Sequence, residues 1–251
     1  YVAIEFEHGK GLIDNNYFYN SRKSIAFSAG GRANADESWA SLAAGTADAL
    51  IIENNYFIKD KNYSLGYDQE RIGTFQGGKI VVRYNEFDTD DSTDTEMVPF
   101  MAHGNADGGC GIPVIGYWEY DADATTCRRR GQSVIEFYNN YIHGYDVPYL
   151  MITRGSANVI HDNKLVKTKT GKPIIYFRED EYATGASILR TAWPAEDQVH
   201  NTFIWNNTYN GNPFWNDPTH FFVSPSNYIC TGKGTPMSCC TGSQAGTCGD
   251  K

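Results

Sequence analysis

Leu50-Ile51-Ile52-Glu53-Asn54-Asn55-Tyr56-Phe57 is the stretch that the rest of the chain repeats. Its outline returns as Leu12 to Phe18 (LIDNNYF), Val81 to Phe87 (VVRYNEF), Glu136 to Ile142 (EFYNNYI), Val159 to Leu165 (VIHDNKL) and Phe203 to Tyr209 (FIWNNTY). Aligned on the second asparagine, the copies place Asn16, Asn55, Asn85, Asn140, Asn163 and Asn207 in one column. Three positions earlier stands an apolar residue each time (Ile13, Ile52, Val82, Phe137, Ile160, Ile204), and two positions later another large one (Phe18, Phe57, Phe87, Ile142, Leu165, Tyr209). The pattern predicts a short strand, a polar bend and the start of another strand. Asparagine suits the bend because it tolerates left-handed backbone and its amide bonds locally. Stacked copies can also bond to one another in a ladder.

The copies are separated by 39, 30, 55, 23 and 44 residues, as expected of a solenoid whose coils bury their apolar faces against their neighbours. Unequal spacing requires loops inserted into a shorter basic coil. A second recurring strand precedes the first, at Ala3 to Phe6, Ser24 to Phe27, Ile72 to Phe75, Val98 to Met101, Gly116 to Glu119, Tyr149 to Ile152 and Ile174 to Phe177. In the compact coils 3 to 18 and 72 to 87 the path from this strand to the end of the bend takes 16 residues in both. Two strand types per coil, each stacking on its own kind, predict parallel sheets. Over roughly residues 1 to 225 this pattern resembles the right-handed parallel β-helix of the pectate-lyase-like superfamily. The expected fold is therefore all-β: a right-handed parallel β-helix solenoid over 1–229 with inserted loops, and a disulfide-rich cap or extension over 230–251. The inserted segment between Gly30 and Asp48 has an Ala-rich middle that predicts a short helix after Asp36 or Ser38.

A chain of 251 residues is long enough to bury a sizeable core in one elongated domain. Its 25 Gly, 17 Tyr and 13 Phe suit strands and turns rather than helices. A net charge of −9 argues against nucleic acid as a partner, since phosphates need a basic footprint. No apolar run is long enough to span a membrane as a helix. The chain opens inside a strand at Tyr1-Val2-Ala3-Ile4, without a leader, and an open parallel edge invites association. The expectation is a mature product or fragment that meets upstream β-helix coils or another copy, as a homo-oligomer. Cys110 and Cys127 share one loop, and Cys230, Cys239, Cys240 and Cys248 lie in the last stretch, where Thr231 to Lys251 shows no strand pattern. Disulfides within each group, and hence a secreted or extracellular location, are the leading reading, with a metal site in the tail as the competitor.

Neighbouring side chains on a strand point to opposite faces. Two positions before the ladder asparagine the chain carries Asp14, Glu53, Arg83, Tyr138, His161 and Trp205, none of them aliphatic. These six are expected in a row on the outer surface of one sheet, roughly 4.8 Å apart per coil. Such a row suits an extended polysaccharide or surface glycan, with rings against sugars and charges reading hydroxyls or uronates. The competing reading is a solvated face. The resemblance implies a uronate lyase, in which a basic side chain takes the proton next to the carboxylate while Ca²⁺ or Arg neutralises that carboxylate. Arg83, His161 and Glu53 are the candidate catalytic residues. Tyr138, Trp205, Asp14, Arg154 and His103 are the candidate substrate contacts. Glu86, Asp88, Asp90 and Asp91 form an alternating acidic run that is the candidate Ca²⁺ site, although no EF-hand or nonapeptide repeat spacing accompanies it.

The paired aspartates Asp90-Asp91 lack the accompanying elements of polygalacturonases, and the pectate-lyase strings Trp-Ile-Asp-His and Arg-x-Pro-x-x-Arg are absent. Phosphate-loop, dinucleotide and serine-hydrolase motifs are absent as well. Two function classes therefore stand side by side. One is an extracellular carbohydrate-engaging protein, with polysaccharide lyase as its sharper form. The other is a non-catalytic structural or adhesive module, such as a tail-spike or fibre piece on a virion surface or an extracellular filament block.

Overall fold

The computed structural model describes residues 2–7, 10–21, 23–28, 49–58, 70–75, 79–88, 98–104, 134–144, 147, 149–154, 156–167, 174–178, 199–213, 221–223, 228–231 and 238–241. Among them the chain is all-β and forms three sheets, each visited once per round. The first, sheet A, aligns β1 (Val2–Glu7), β4 (Lys23–Ser28), β7 (Glu70–Phe75), β10 (Val98–Gly104), β13 (Tyr149–Arg154), β16 (Ile174–Arg178) and β20 (Phe221–Val223). Sheet B aligns β2 (Gly11–Asp14), β5 (Leu50–Glu53), β8 (Lys79–Arg83), β11 (Val134–Tyr138), β14 (Ser156–His161), β17 (Val199–Trp205), β21 (Tyr228–Thr231) and β22 (Ser238–Thr241). Sheet C aligns β3 (Tyr17–Tyr19), β6 (Tyr56–Ile58), β9 (Glu86–Asp88), β12 (Tyr141–Gly144), β15 (Lys164–Lys167), β18 (Thr208–Tyr209) and β19 (Asn212–Pro213). All pairings are parallel except two terminal hairpins, an arrangement consistent with a β-solenoid. Where the sequence predicts two strand types per coil, the structure has three, because the residues after the asparagine form a sheet of their own.

The bend between sheets B and C divides its work between two residues. The first of each polar pair takes the left-handed backbone: Asn15, Asn54, Tyr84, Asn139, Asp162 and Asn206 have φ between 53° and 56°. The ladder asparagine that follows does the bonding. Each one from Asn16 to Asn163 donates from Nδ2 to the Oδ1 of the next, over 3.0, 3.1, 3.1, 3.0 and 2.8 Å. The same Oδ1 also accepts the preceding round's asparagine backbone N–H, at 2.9 to 3.1 Å. Asn55, Asn85, Asn140, Asn163 and Asn207 are buried, so these bonds satisfy backbone groups that water cannot reach.

Inward positions fill the interior. Ile52, Val82, Phe137, Ile160 and Ile204 of sheet B face Phe57, Phe87, Ile142 and Leu165 of sheet C and Ile25, Ile72, Phe100 and Ile175 of sheet A, all fully buried. Phe18, Phe57 and Phe87 stack face to face at 4.8 and 4.7 Å. The middle strands of sheet A are covered on both sides: in β7, Glu70, Arg71, Ile72, Gly73 and Thr74 are all buried in succession, whereas Val2, Ala3 and Glu5 of β1 are exposed. Glu70 pairs with Lys23, and Arg71 Nη1 donates to the Ser21 carbonyl. Burial lowers the Arg71 guanidinium to about 10, which leaves it charged at neutral pH. A Cβ on Gly73 would fall on Glu70 Oε1, so glycine there leaves room for the buried carboxylate. At a corner between sheets A and B a second polar cluster closes on itself. Ser156 Oγ donates to Asn158 Oδ1 at 2.8 Å, and Asn158 Nδ2 donates to Thr202 Oγ1 at 2.9 Å.

The last rounds end in hairpins. Asn210 and Gly211 both take positive φ, 47° and 80°, and join β18 to the antiparallel β19 through the two-residue turn that Asn-Gly favours. The strand β21 pairs parallel with β17 and antiparallel with β22, placing Cys230 opposite Cys239. A strand at Ser238–Thr241 thus lies in the tail that the sequence reads as patternless. The helix expected after Asp36 or Ser38, the strand expected at Gly116 to Glu119, and Asp90 and Asp91 lie outside the described residues.

The ladder gives a graded stability prediction. Asn140→Ala removes two donated bonds and leaves the buried Asn85 N–H without its acceptor, so it should destabilise by about 3 kcal/mol or more, against about 1 kcal/mol or less for the exposed Asn16→Ala. Urea unfolding of the two variants checks the ratio. Tyr84 holds a left-handed backbone that a tyrosine tolerates poorly, so Tyr84→Asn should raise stability by about 1 kcal/mol in the same assay.

Candidate functional site

Register fixes the outer row. Asp14 pairs with Glu53, Glu53 with Arg83, Arg83 with Tyr138, Tyr138 with His161 and His161 with Trp205, one residue per round on successive strands of sheet B. Ile13, Ile52, Val82, Phe137, Ile160 and Ile204 next to them point inward, and all six row residues are half-buried on the opposite face. The single column expected from the repeat is therefore present.

Within the column the side chains satisfy one another. The Asp14 carboxylate accepts from Asn15 Nδ2 at 2.6 Å and Asn54 Nδ2 at 2.9 Å. Arg83 donates from Nε to Glu53 Oε2 at 2.5 Å and from Nη1 to Tyr138 Oη at 2.9 Å. Its guanidinium also lies 5.8 Å from the Tyr84 ring centre, within cation–π range. The bond to Tyr138, then that to Glu53, push the Arg83 pKa above the ordinary arginine range. A raised pKa stabilises the fold below the unfolded arginine value and loses that contribution only as pH rises through the folded value. Arg83 is therefore a fixed cation at any physiological pH, suited to holding a carboxylate and unsuited to taking a proton.

Beyond Tyr138 the column is aromatic. Tyr138 stacks on His161 at 4.6 Å and His161 on Trp205 at 4.2 Å, both within 6° of parallel. These rings cover one another's faces and turn their edges outward. His161 Nδ1 sits 2.6 Å from Asp162 Oδ2, which fixes the imidazole by one nitrogen and leaves Nε2 as the atom able to exchange a proton with a ligand. Asp162 and Tyr84, which the sequence reading passed over, thus join the site. Both stand directly after a row residue in the repeat, and that position was their signal. A second outward column runs beside the first: Leu12, Ile51, Val81, Glu136, Val159 and Phe203 are register partners in turn. It gives the polar row a flank that is apolar except at Glu136, beside Tyr138.

Other expected contacts lie elsewhere. His103 is in β10 and Arg154 ends β13, so both belong to sheet A rather than to the row in sheet B. The alternation expected of the acidic run holds in β9, where Phe87 is buried and Glu86 and Asp88 are half-buried on the outer face of sheet C. Their carboxylates are already engaged: His143 Nε2 lies 2.8 Å from Glu86 Oε1, and Tyr56 donates its hydroxyl to Asp88 Oδ2 at 3.0 Å. Burial, then the bond to Asp88, push the Tyr56 hydroxyl above the ordinary phenol range. Among the described residues no group of three or more His, Cys, Asp or Glu is placed to hold a metal ion. Glu86 and Asp88 alone do not supply the six to eight oxygens that Ca²⁺ takes.

No family model, no curated protein and no solved structure matches the chain. Among the described residues no helix is long and apolar enough to cross a membrane.

The Glu53–Arg83 pair is partly exposed, which limits its worth. A double-mutant cycle with Glu53→Gln and Arg83→Met should give a coupling of roughly 0.5 to 1 kcal/mol that shrinks in 1 M salt, measured by urea unfolding. A coupling near zero at low salt would show that the contact does not persist in solution.

Proposed function

We propose that the chain is a right-handed parallel β-helix of the pectate-lyase-like kind that acts outside the cell on a uronate-bearing polysaccharide, along the outer face of sheet B. The handedness rests on the rule that crossovers between parallel strands of one sheet are right-handed in about 98% of cases. The observation that carries the functional reading is the single-register column in which a fixed cation, Arg83, stands two rounds from an imidazole anchored by a carboxylate, His161 on Asp162. An extended anionic polymer lying across the strands would meet the cation, the phenol and the imidazole in sequence, with the flanking column, apolar except at Glu136, beside it.

In the lyase form, Arg83 holds the uronate carboxylate and spreads the charge that develops when the adjacent C5 proton leaves. His161 Nε2 takes that proton, the C4–O glycosidic bond breaks as the C4–C5 double bond forms, and the leaving oxygen is protonated by the Tyr138 hydroxyl; the imidazolium then gives its proton to water and the phenolate takes one back, which returns both groups to their starting forms. Glu53 keeps Arg83 in place. This assignment moves the base from Arg83 to His161, because Arg83 stays charged. A non-catalytic adhesive or structural module is favoured by one observation, the mutual stacking of Tyr138, His161 and Trp205, which occupies the ring faces that sugars commonly cover.

The deciding experiment incubates the chain and an Arg83→Ala/His161→Ala double variant with a panel of uronate polysaccharides, with and without Ca²⁺. Ultraviolet absorbance reports unsaturated product, and a glycan array reports binding. Cleavage lost in the double variant is the expected result. Binding without cleavage by the parent chain moves the assignment to the adhesive module, and silence in both assays overturns the carbohydrate reading.

A further inference from the structure

The residue before the ladder asparagine is exposed in all six rounds and takes left-handed backbone in each. Five rounds fill the position with Asn15, Asn54, Asn139, Asp162 and Asn206, whose short polar side chains suit that backbone by bonding locally. The third round places Tyr84 there at φ 56°, an uncommon conformation for a bulky residue. Asparagine serves a round that needs only a bend, so the ring is held against the preference of the backbone, as happens where a side chain is wanted for something else. Tyr84 is 52% exposed and is the one exposed large hydrophobic outside the first round among the described residues. It follows directly after Arg83, the cation of the outer row. Arg83 is already fixed by Glu53 and Tyr138, so Tyr84 is not needed to hold it.

The orientation of the ring points to its use. Tyr138, His161 and Trp205 stack within 6° of parallel, so their faces look along the column and cover one another. Tyr84 meets Tyr138 at 80°, with ring centres 6.1 Å apart. Its plane therefore runs along the column, and a polymer following the row can lie flat on this ring although it meets only the edges of the stacked ones. The Arg83 guanidinium lies 5.8 Å from the Tyr84 ring centre, and Glu53 and Tyr138 engage its Nε and Nη1. We propose that Tyr84 and Arg83 form one sugar subsite, in which a uronate ring lays its C–H face on Tyr84 and turns its carboxylate to Arg83. The subsite rests on the carbohydrate reading above and applies whether or not cleavage follows binding. Within it Tyr84 selects for a flat C–H face and Arg83 for charge.

Isothermal titration calorimetry tests the subsite with oligomers of galacturonate and of mannuronate, on the 251-residue chain and on Tyr84→Asn and Tyr84→Phe variants. Tyr84→Asn relieves the left-handed backbone, so urea unfolding should show it at least as stable as the parent, and unfolding cannot account for a loss of binding. The oligomer that binds the parent should bind Tyr84→Asn about tenfold more weakly. Tyr84→Phe, which keeps the ring and drops the hydroxyl, should recover most of that loss. The methyl-esterified oligomer should be weakened by Tyr84→Asn by the same factor, because the ring contact does not involve the carboxylate. Equal affinity of the Asn variant and the parent overturns the subsite while the carbohydrate reading stands. A Phe variant as weak as the Asn variant also overturns it, since the contact would then run through the hydroxyl, and so does a loss confined to the acid form, since Tyr84 would then act only through Arg83. Failure of the parent to bind either oligomer overturns the carbohydrate reading and the subsite with it.

Discussion

A parallel stack that turns a tight corner inside its own core must find acceptors for the backbone N–H groups at the corner, and this requirement governs the rest of the molecule. The ladder asparagine of the bend between sheets B and C is buried from Asn55 onward, so water cannot serve it. An asparagine side chain supplies an acceptor for the preceding round's N–H and a donor for the next, which makes one residue type necessary at one position in every round. The preceding residue then has to take left-handed backbone, which explains why Asn or Asp fills that place in all rounds except at Tyr84. Because each rung bonds to the next, the ladder also pins the register of the strands on both sides. Loops of very different length can then be inserted between rounds, since a longer loop costs little extra closure entropy once its ends are held.

What could be read from the sequence follows from that constraint. The columns nearest the asparagine were legible: the inward apolar residues, the outward row and the aromatic residues after the bend all stand where the repeat puts them, because strand alternation carries the register outward for a few residues. Sheet C was legible only as the beginning of a strand, since its strands run for two to four residues, too short to show a period. Sheet A was found as strands but not as a layer buried on both faces. In Glu70-Arg71-Ile72-Gly73-Thr74 the two charged residues precede the strand that the repeat places at Ile72, and their partners Lys23 and Ser21 lie in another round, where no local pattern points to them. His103 and Arg154 were named as substrate contacts by chemistry alone, without a register argument, and they stand in sheet A while the row stands in sheet B.

The same geometry sets a standard for recognising function on a solenoid. Residues about 4.8 Å apart in a column touch one another whatever they do, so mutual bonding and stacking are the default state of such a row. The Glu53–Arg83 pair and the Tyr138–His161–Trp205 stack are therefore not in themselves signs of a ligand. The informative atoms are those that the column does not consume. Among the described residues these include Arg83 Nη2, since Glu53 is bonded at Nε and Tyr138 at Nη1, and His161 Nε2, since Asp162 holds the other imidazole nitrogen.

Those two atoms belong to a row whose chemistry changes along the axis, from carboxylates in the first rounds through a cation to stacked rings in the last. A polymer laid along it would meet repulsion from Asp14 and Glu53 at one end if it were anionic, neutralisation at Arg83 and ring edges beyond. On the proposed reading such an asymmetric row would discriminate direction as well as charge, since reversing the polymer would exchange which end of each sugar faces the imidazole. The separation of roles is then physical. The buried column repeats one residue because every round poses the same hydrogen-bonding problem, and the outer column varies because solvent relieves it of that problem and leaves its composition open to selection by a ligand.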